Sequence, residues 1–310
     1  FHVGQSLVDE FPGLVEIADL HGVPEGAYNI RANGAPAGRN TTAHINIVTK
    51  TDKPGIDIII APGTKNESVH IPVVVSQTGL KDLVYNDFYI GENADVVIIA
   101  GCGIHCAGAE ETSHDGIHTF HVGKGAHLRY VEKHYGEGEG RGKRVMNPTT
   151  IVYLEEGASM DMETTQIAGV DDTLRKTGGT LAAGSTLTVH EKIMTTGDQH
   201  AITDFAIDLN GENCSTDVVS RSVARDHSKQ EFRSSINGNN ACAGHSECDA
   251  IIMDKACVIA TPALTANHVD AALIHEAAIG KIAGEQIIKL MTLGLTEEEA
   301  EREIVNGFLK

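Results

Sequence analysis

Three stretches of the sequence gather side chains that bind metals or act as nucleophiles. The first is Gly101-Cys102-Gly103-Ile104-His105-Cys106, where a Cys-x3-Cys spacing brackets a histidine. Thiolate and imidazole together suit Zn²⁺ or iron. Cys102 also continues the alternation of Ile98 and Ala100, so an inward structural cysteine explains it equally well. The second stretch holds His114, His118, His121 and His127. On a strand, His118 and His121 face opposite sides and cannot chelate one ion without a bulge, so a solvated strand-and-turn segment is expected there. The third pairs Glu247-Cys248-Asp249-Ala250-Ile251-Ile252-Met253-Asp254 with His275-Glu276-Ala277-Ala278-Ile279-Gly280-Lys281-Ile282. A cysteine at a strand edge beside a His-Glu pair at the mouth of a helix supplies thiolate, imidazole and carboxylate. Such a mixed donor set can hold iron and still release a finished cluster. The plainer reading makes Cys248 a core thiol and Glu276 an acid in a helix's first turn.

These donors need a frame, and the sequence describes one. From about Ala27 to Thr261, short runs rich in Val, Ile and Thr alternate with turns of Gly, Asn and charged residues; Ala43–Thr49, Ile56–Ala61, Ile71–Ser76 and Leu187–Ile193 are examples. Within them a unit recurs: a turn, a small residue, then apolar residues at alternate positions. It reads Ala94-x-Val96-x-Ile98, Ala126-x-Leu128-x-Tyr130, Ala158-x-Met160-x-Met162, Ser185-x-Leu187-x-Val189 and, more weakly, Cys214-x-Thr216-x-Val218. The starts are 32, 32, 27 and 29 residues apart. That period suits stacked coils, each too thin to bury its own apolar face alone. A β-helix fits best and an irregular β-sandwich competes. Ala271–Leu293 is rich in Ala, Ile, Lys, Glu and Gln and reads as helical, with Gly294 as a stop. Thr296 and Glu299 form a capping box for a second helix, along which Ala300, Ile304 and Phe308 share a face. The expected division is an N-terminal segment over residues 1–26 with a short helix over Val15–Leu20, a β-helix over 27–262, and a helical docking domain over 263–310.

Composition narrows the function classes. Of 310 residues, 24 are Lys or Arg and 43 are Asp or Glu, a net charge of −19 that repels nucleic-acid phosphate and anionic lipid. No run reaches the ~18 apolar residues of a membrane helix. With no basic-plus-apolar leader at Phe1, a reducing cytoplasm and six free thiols are expected. There is no G-x-x-x-x-G-K-[ST] cradle for nucleotide phosphates, so any ATP-driven work falls to a partner.

From about residue 43 to the end the chain resembles the SufB/SufD family of iron–sulfur cluster assembly scaffolds. The likeness is strongest in Glu247–Asp254 and in the tail from His275-Glu276-Ala277 through Gly294-Leu295-Thr296-Glu297-Glu298-Glu299-Ala300 to Asn306-Gly307-Phe308. Weaker echoes lie in Val97–Cys102 and Val218–Val223. The resemblance implies a mainly β fold, a right-handed parallel β-helix with a small C-terminal α-helical domain. It implies scaffold rather than enzyme activity, a SufC-like ABC-type ATPase docked on the helical domain, and pairing of two scaffold copies through their β-helices. The cargo would be an iron–sulfur cluster, [4Fe-4S] or [2Fe-2S], exchanged with a sulfur donor and apo iron–sulfur proteins. By position, Cys248 corresponds to the SufB cysteine of cluster formation, Glu276 to the glutamate of the tail motif, and His275 to the functional histidine of SufD. Cys102 corresponds to the upstream SufB cysteine proposed to receive sulfur. Cys106, Cys214, Cys242 and Cys257 match no motif position, and of these Cys242, six residues before Cys248, is the best further ligand. Carrying both the SufB-like pair and the SufD-like histidine, one chain would serve as a homodimer. Two competing expectations are a β-helical zinc metalloenzyme using the His114–His127 segment with Asp115, and a SufD-like structural subunit without its own cluster.

Overall fold

A computed structural model describes residues 24–310 of the chain, so the helix expected over Val15–Leu20 lies outside the described residues. Twenty strands wind into a parallel β-helix of about eight turns. One ten-stranded sheet contains β1 (Ala27–Ala32), β2 (Ala35–Asn40), β5 (Lys65–Val75), β7 (Asp95–His105), β9 (His127–Glu137), β12 (Ser159–Ala168), β14 (Thr186–Thr195), β16 (Ser215–Ala224), β18 (Cys242–Ile252) and β20 (Ala271–Gly280). The other contains β3 (Ile45–Thr49), β4 (Gly55–Ile60), β6 (Lys81–Ile90), β8 (Thr112–Val122), β10 (Arg144–Met146), β11 (Thr149–Leu154), β13 (Asp172–Leu181), β15 (His200–Leu209), β17 (Lys229–Gly238) and β19 (Cys257–Ala266).

The recurrent unit becomes the corner of each coil. Asn93, Gly125, Gly157, Gly184 and Asn213 all take positive φ, between 56° and 67°. Only Gly, or Asn with its short polar side chain, adopts that backbone readily. The next residue, Ala94, Ala126, Ala158, Ser185 or Cys214, is fully buried at the turn. The strands that follow then stack in strict register: Val96 on Leu128, Leu128 on Met160, Met160 on Leu187, Leu187 on Thr216. Parity puts these side chains in one continuous core with Phe88, Phe120, Phe205 and Ile207 from the facing sheet.

The two ends differ. At the N-terminal end, antiparallel β1–β2 and β3–β4 pairs turn the chain back on itself and interrupt the parallel stacking. At the other end β19 and β20 are the outermost strands of their sheets. The one carries exposed Ile259 and Leu264, the other exposed Ile274 and Ile279.

The C-terminal boundary corrects the sequence expectation. Residues 271–280 form a strand, not a helix, and the β-helix runs eighteen residues beyond the expected 262. Alanine-rich composition favours a helix, but the ladder offered by β18 decides the conformation: Ala271, Leu273 and His275 fall on the inner parity with Cys242, Gly244 and Ser246. Two helices follow, α1 (Gly284–Met291) and α2 (Glu297–Phe308), the latter with the expected Thr296–Glu299 capping box. Val305, Phe308 and Leu309 pack on Val223, Met194 and Ile251 along the flank of the solenoid, leaving its end uncovered. No helix among the described residues is long and apolar enough to cross a membrane.

Candidate functional site

The six cysteines are free; five are buried and Cys257 is exposed. Cys102 lies inward on β7, as its alternation with Ile98 and Ala100 requires, and hydrogen-bonds to His114 and His134. His114 Nδ1 lies 3.0 Å from Asp82 Oδ2, and Asp82 Oδ1 accepts from Arg31 Nη2 at 2.7 Å. The arrangement is a thiol, an imidazole and a carboxylate in series. Burial alone would raise the Cys102 pKa, but the two imidazoles outweigh it and bring it down to about 7. Burial likewise opposes a charge on His114, yet Cys102 and Asp82 raise it to about 10.

His114 and His118 are interior side chains, which corrects the expectation of a solvated segment. The aromatic core and its polar tips draw them in: His118 contacts Tyr130 Oη at 2.9 Å and Asn86 Nδ2 at 3.3 Å. Burial holds its pKa down at about 4. His121 faces outward, stacked between Tyr89 and Tyr153, and His127 is outward against Ser159. The four histidines do not converge, so the zinc-enzyme expectation has no chelate on this segment.

The interior row next to that of Cys102 is polar, and composition-based reading of the strands misses it. Glu132, Thr164, Glu191, Ser220 and Cys248 pair successively across β9, β12, β14, β16 and β18, and all are buried. Buried Arg175 from β13 binds Glu132, lies 3.2 Å from His134 Nδ1 and 3.8 Å from Glu191. Glu191 is further held by Thr203 at 2.9 Å and Ser220 at 3.0 Å. Thr164 Oγ1, Gln166 Oε1, Thr177 Oγ1 and Arg175 Nε are buried along this row without a hydrogen-bond partner. The signal was in the sequence: four residues past Leu128, Met160 and Leu187, on inward parity, stand Glu132, Thr164 and Glu191. The row spans the four strand spacings from β9 to β18, about 19 Å at ~4.8 Å each.

Cys248 closes the row. It is inward and buried, and burial first, then the nearby Glu191 and Asp249 charges, push its pKa up to about 12. Its ladder partner is Ala277 on the terminal strand, and His275, two residues earlier on the same inner parity, lies 3.3 Å from Ser246 Oγ. Both members of the His275-Glu276 pair sit on a strand rather than at a helix mouth, so they point to opposite faces. Glu276 is exposed on the outer face with His245 and Glu247, the candidate donor atoms of the three lying within 4.8 Å of one another. His245 Nδ1 lies 2.7 Å from Asp217 Oδ1, a carboxylate placed to orient the ring. The structure thus puts Cys248 and His275 on one inner face, on adjacent strands and two residues out of register, and Glu276 on the opposite face. Cys242 is at the far end of the same strand, six residues or about 20 Å from Cys248, and cannot share an ion with it. It occupies a corner stacked between Cys214 and Ala271, where a small side chain is needed.

The fold and the candidate site together define a parallel β-helix with a polar interior, in which imidazole, carboxylate and thiol groups lie buried among the apolar rungs. Residues 85–308, well over half of the chain, match the family model for the SUF system FeS cluster assembly SufBD core domain. The chain belongs to that family. Curated relatives called iron–sulfur cluster assembly SufBD family proteins include one from Pyrococcus horikoshii, 25% identical with 97% of this chain and 94% of the relative covered. Another, from Archaeoglobus fulgidus, is 30% identical over 84% of this chain and 69% of its own length. A third, from Methanothermobacter thermautotrophicus, is 29% identical over 70% of this chain, which spans about half (53%) of that relative.

Proposed function

We propose that this protein is a scaffold on which sulfide and iron are built into a cluster and then released, Cys102 receiving sulfur and Cys248 binding the growing cluster. The observation that carries the reading is the buried polar interior: an acidified thiol, Cys102, stacks on His134, and the neighbouring column runs from Glu132 to a second thiol, Cys248, one strand from the uncovered end of the solenoid. A thiol held near pKa 7 is substantially thiolate at neutral pH and fit to attack a donor's terminal sulfur. A thiol at about 12 stays protonated until iron arrives, and a metal deprotonates a coordinating thiol outright. His275 is the second donor on the inner face. Glu276, with His245 and Glu247, is a harder oxygen and nitrogen set on the outer face, suited to Fe²⁺ before sulfide meets it. Family membership supports the iron–sulfur assembly role, and cluster type follows from neither.

The same reading includes a second copy of the chain meeting the bare β19–β20 end, and an ABC-type ATPase on α1 and α2. Exposed Ile259, Leu264 and Ile274 support the first; exposed Ile288, Met291 and Leu293 support the second. Substituting Cys248→Ala is expected to abolish bound iron and acid-labile sulfide after anaerobic reconstitution while circular dichroism stays that of a β-helix. Unchanged iron and sulfide in that variant would remove Cys248 from the mechanism. Metal analysis after anaerobic purification separates this scaffold from a zinc enzyme and from a subunit that carries neither metal.

A further inference from the structure

Basic residues are scarce in this chain, yet the N-terminal end of the solenoid concentrates them. One cavity of about 210 Å³ is lined by Arg31, Arg39, Lys50 and Lys53 and by no carboxylate. The acids that balance two of these cations are not part of its lining: Asp82 holds Arg31, and Asp57 and Asp87 hold Lys50. The other two hold neutral groups at close range, with Asp87 near enough to feel the Lys53 charge without pairing with it. Arg39 donates to Asn29 Oδ1 and Thr49 Oγ1, both at 2.9 Å, and Lys53 Nζ sits 4.8 Å from the centre of the Tyr85 ring. Among the described residues neither makes an ion pair. A concave, low-dielectric wall lined by one sign of charge focuses its field and concentrates counter-ions.

The cavity also adjoins the acidified thiol. Val73 in its wall is the ladder partner of Cys102, one strand spacing (~4.8 Å) away. Arg31 in its wall starts the series that passes through Asp82 and His114 to Cys102. The remaining wall is largely apolar, with Ile71, Val73 and Val84, which favours a small, weakly hydrated ion over a strongly hydrated one.

We propose that this cavity binds small singly charged anions and is the way by which they reach Cys102. The inference rests on Cys102 being the sulfur-handling thiol, and it concerns binding and access alone, with no bond made or broken in the cavity.

The test is the rate at which iodoacetate (anionic) and iodoacetamide (neutral) alkylate individual cysteines in the folded full chain, read by peptide mass spectrometry. Exposed Cys257 is the internal reference, where a protein of net charge −19 disfavours the anionic reagent. At Cys102 the iodoacetate-to-iodoacetamide ratio is expected to exceed that at Cys257 by roughly tenfold or more. In the Arg39→Gln/Lys53→Gln double variant it should fall towards the Cys257 value, although His114 and His134 are untouched. A Cys102 labelled by neither reagent, a native ratio equal to that at Cys257, or a ratio unchanged in the double variant would each overturn the proposal. None of these results alters the Cys248→Ala reconstitution, so the scaffold reading fails or survives separately.

Discussion

Cys102 and Cys248 both face inward from strands of one sheet, in neighbouring columns of the ladder, and their surroundings give them opposite chemistry. Around Cys102 two imidazoles, backed by Asp82 and Glu132, supply positive charge that overrides burial. Around Cys248 no imidazole contributes, the nearest charges are carboxylates, and burial acts unopposed. A solenoid gives every rung the same backbone, so what distinguishes one rung from another is which side chains the neighbouring rungs present. Sulfur reactivity is therefore set here by stacking, not by local sequence: Cys102 meets His134 thirty-two residues later and His114 from across the core.

The sharpest way to break this contrast is to measure both thiols. The pH profile of alkylation at Cys102 should turn over near pH 7, whereas Cys248 should show no turnover below pH 11, roughly five decades apart in thiolate fraction at neutral pH. Replacing His114→Asn should carry the Cys102 midpoint upward and leave Cys248 where it is. Coincident midpoints would show that the two environments do not differ as the structure says.

A second effect tests the row that joins them. Arg175→Met removes the buried guanidinium between Glu132 and Glu191, leaving Glu132 with His134 alone as a charged partner and Glu191 with none, so urea denaturation should report a loss of about 3–5 kcal/mol. A loss under 1 kcal/mol would mean that the row is hydrated and weakly coupled.

The smallest effect concerns acid. His118 is buried neutral, its pKa lowered by burial to about 4 against 6.5 unfolded. A group with a depressed folded pKa binds fewer protons folded than unfolded, so its contribution is complete above pH 6.5 and is lost as pH falls through 4. Over that window wild type should lose up to about 3 kcal/mol that a His118→Gln variant, which cannot titrate, does not lose. Parallel stability curves for the two proteins would show that His118 is not held neutral.

Much of the frame was legible because the recurrent unit is self-consistent: left-handed turn residue, small corner residue, then alternating apolar positions. Ala94, Ala126, Ala158, Ser185 and Cys214 mark corners in the sequence and are corners in the fold. Legibility failed where a neighbour's ladder outvoted local preference, as in Ala271–Gly280. It failed again for polarity. Glu132, Glu191, His114 and His118 are charged or polar yet inside, each because a buried partner satisfies it: Tyr130 for Glu132 and His118, Thr203 for Glu191, Asp82 for His114. Cys102, Cys248 and His275 were found by residue type and resemblance. That Glu276 faces away from Cys248 depended on one residue of strand parity, which a helical assignment of the tail concealed.

Because each coil touches only those above and below it, the separation of the two thiols comes in whole steps. Excising one complete repeat between β12 and β16 would draw Cys102 and Cys248 together by a single strand spacing of about 4.8 Å, sparing the imidazoles that tune Cys102 and removing Glu191 from beside Cys248. Insertion of a repeat would do the reverse. The molecule is in that respect a graduated ruler, whose reach evolution or an engineer can reset without redesigning either terminus.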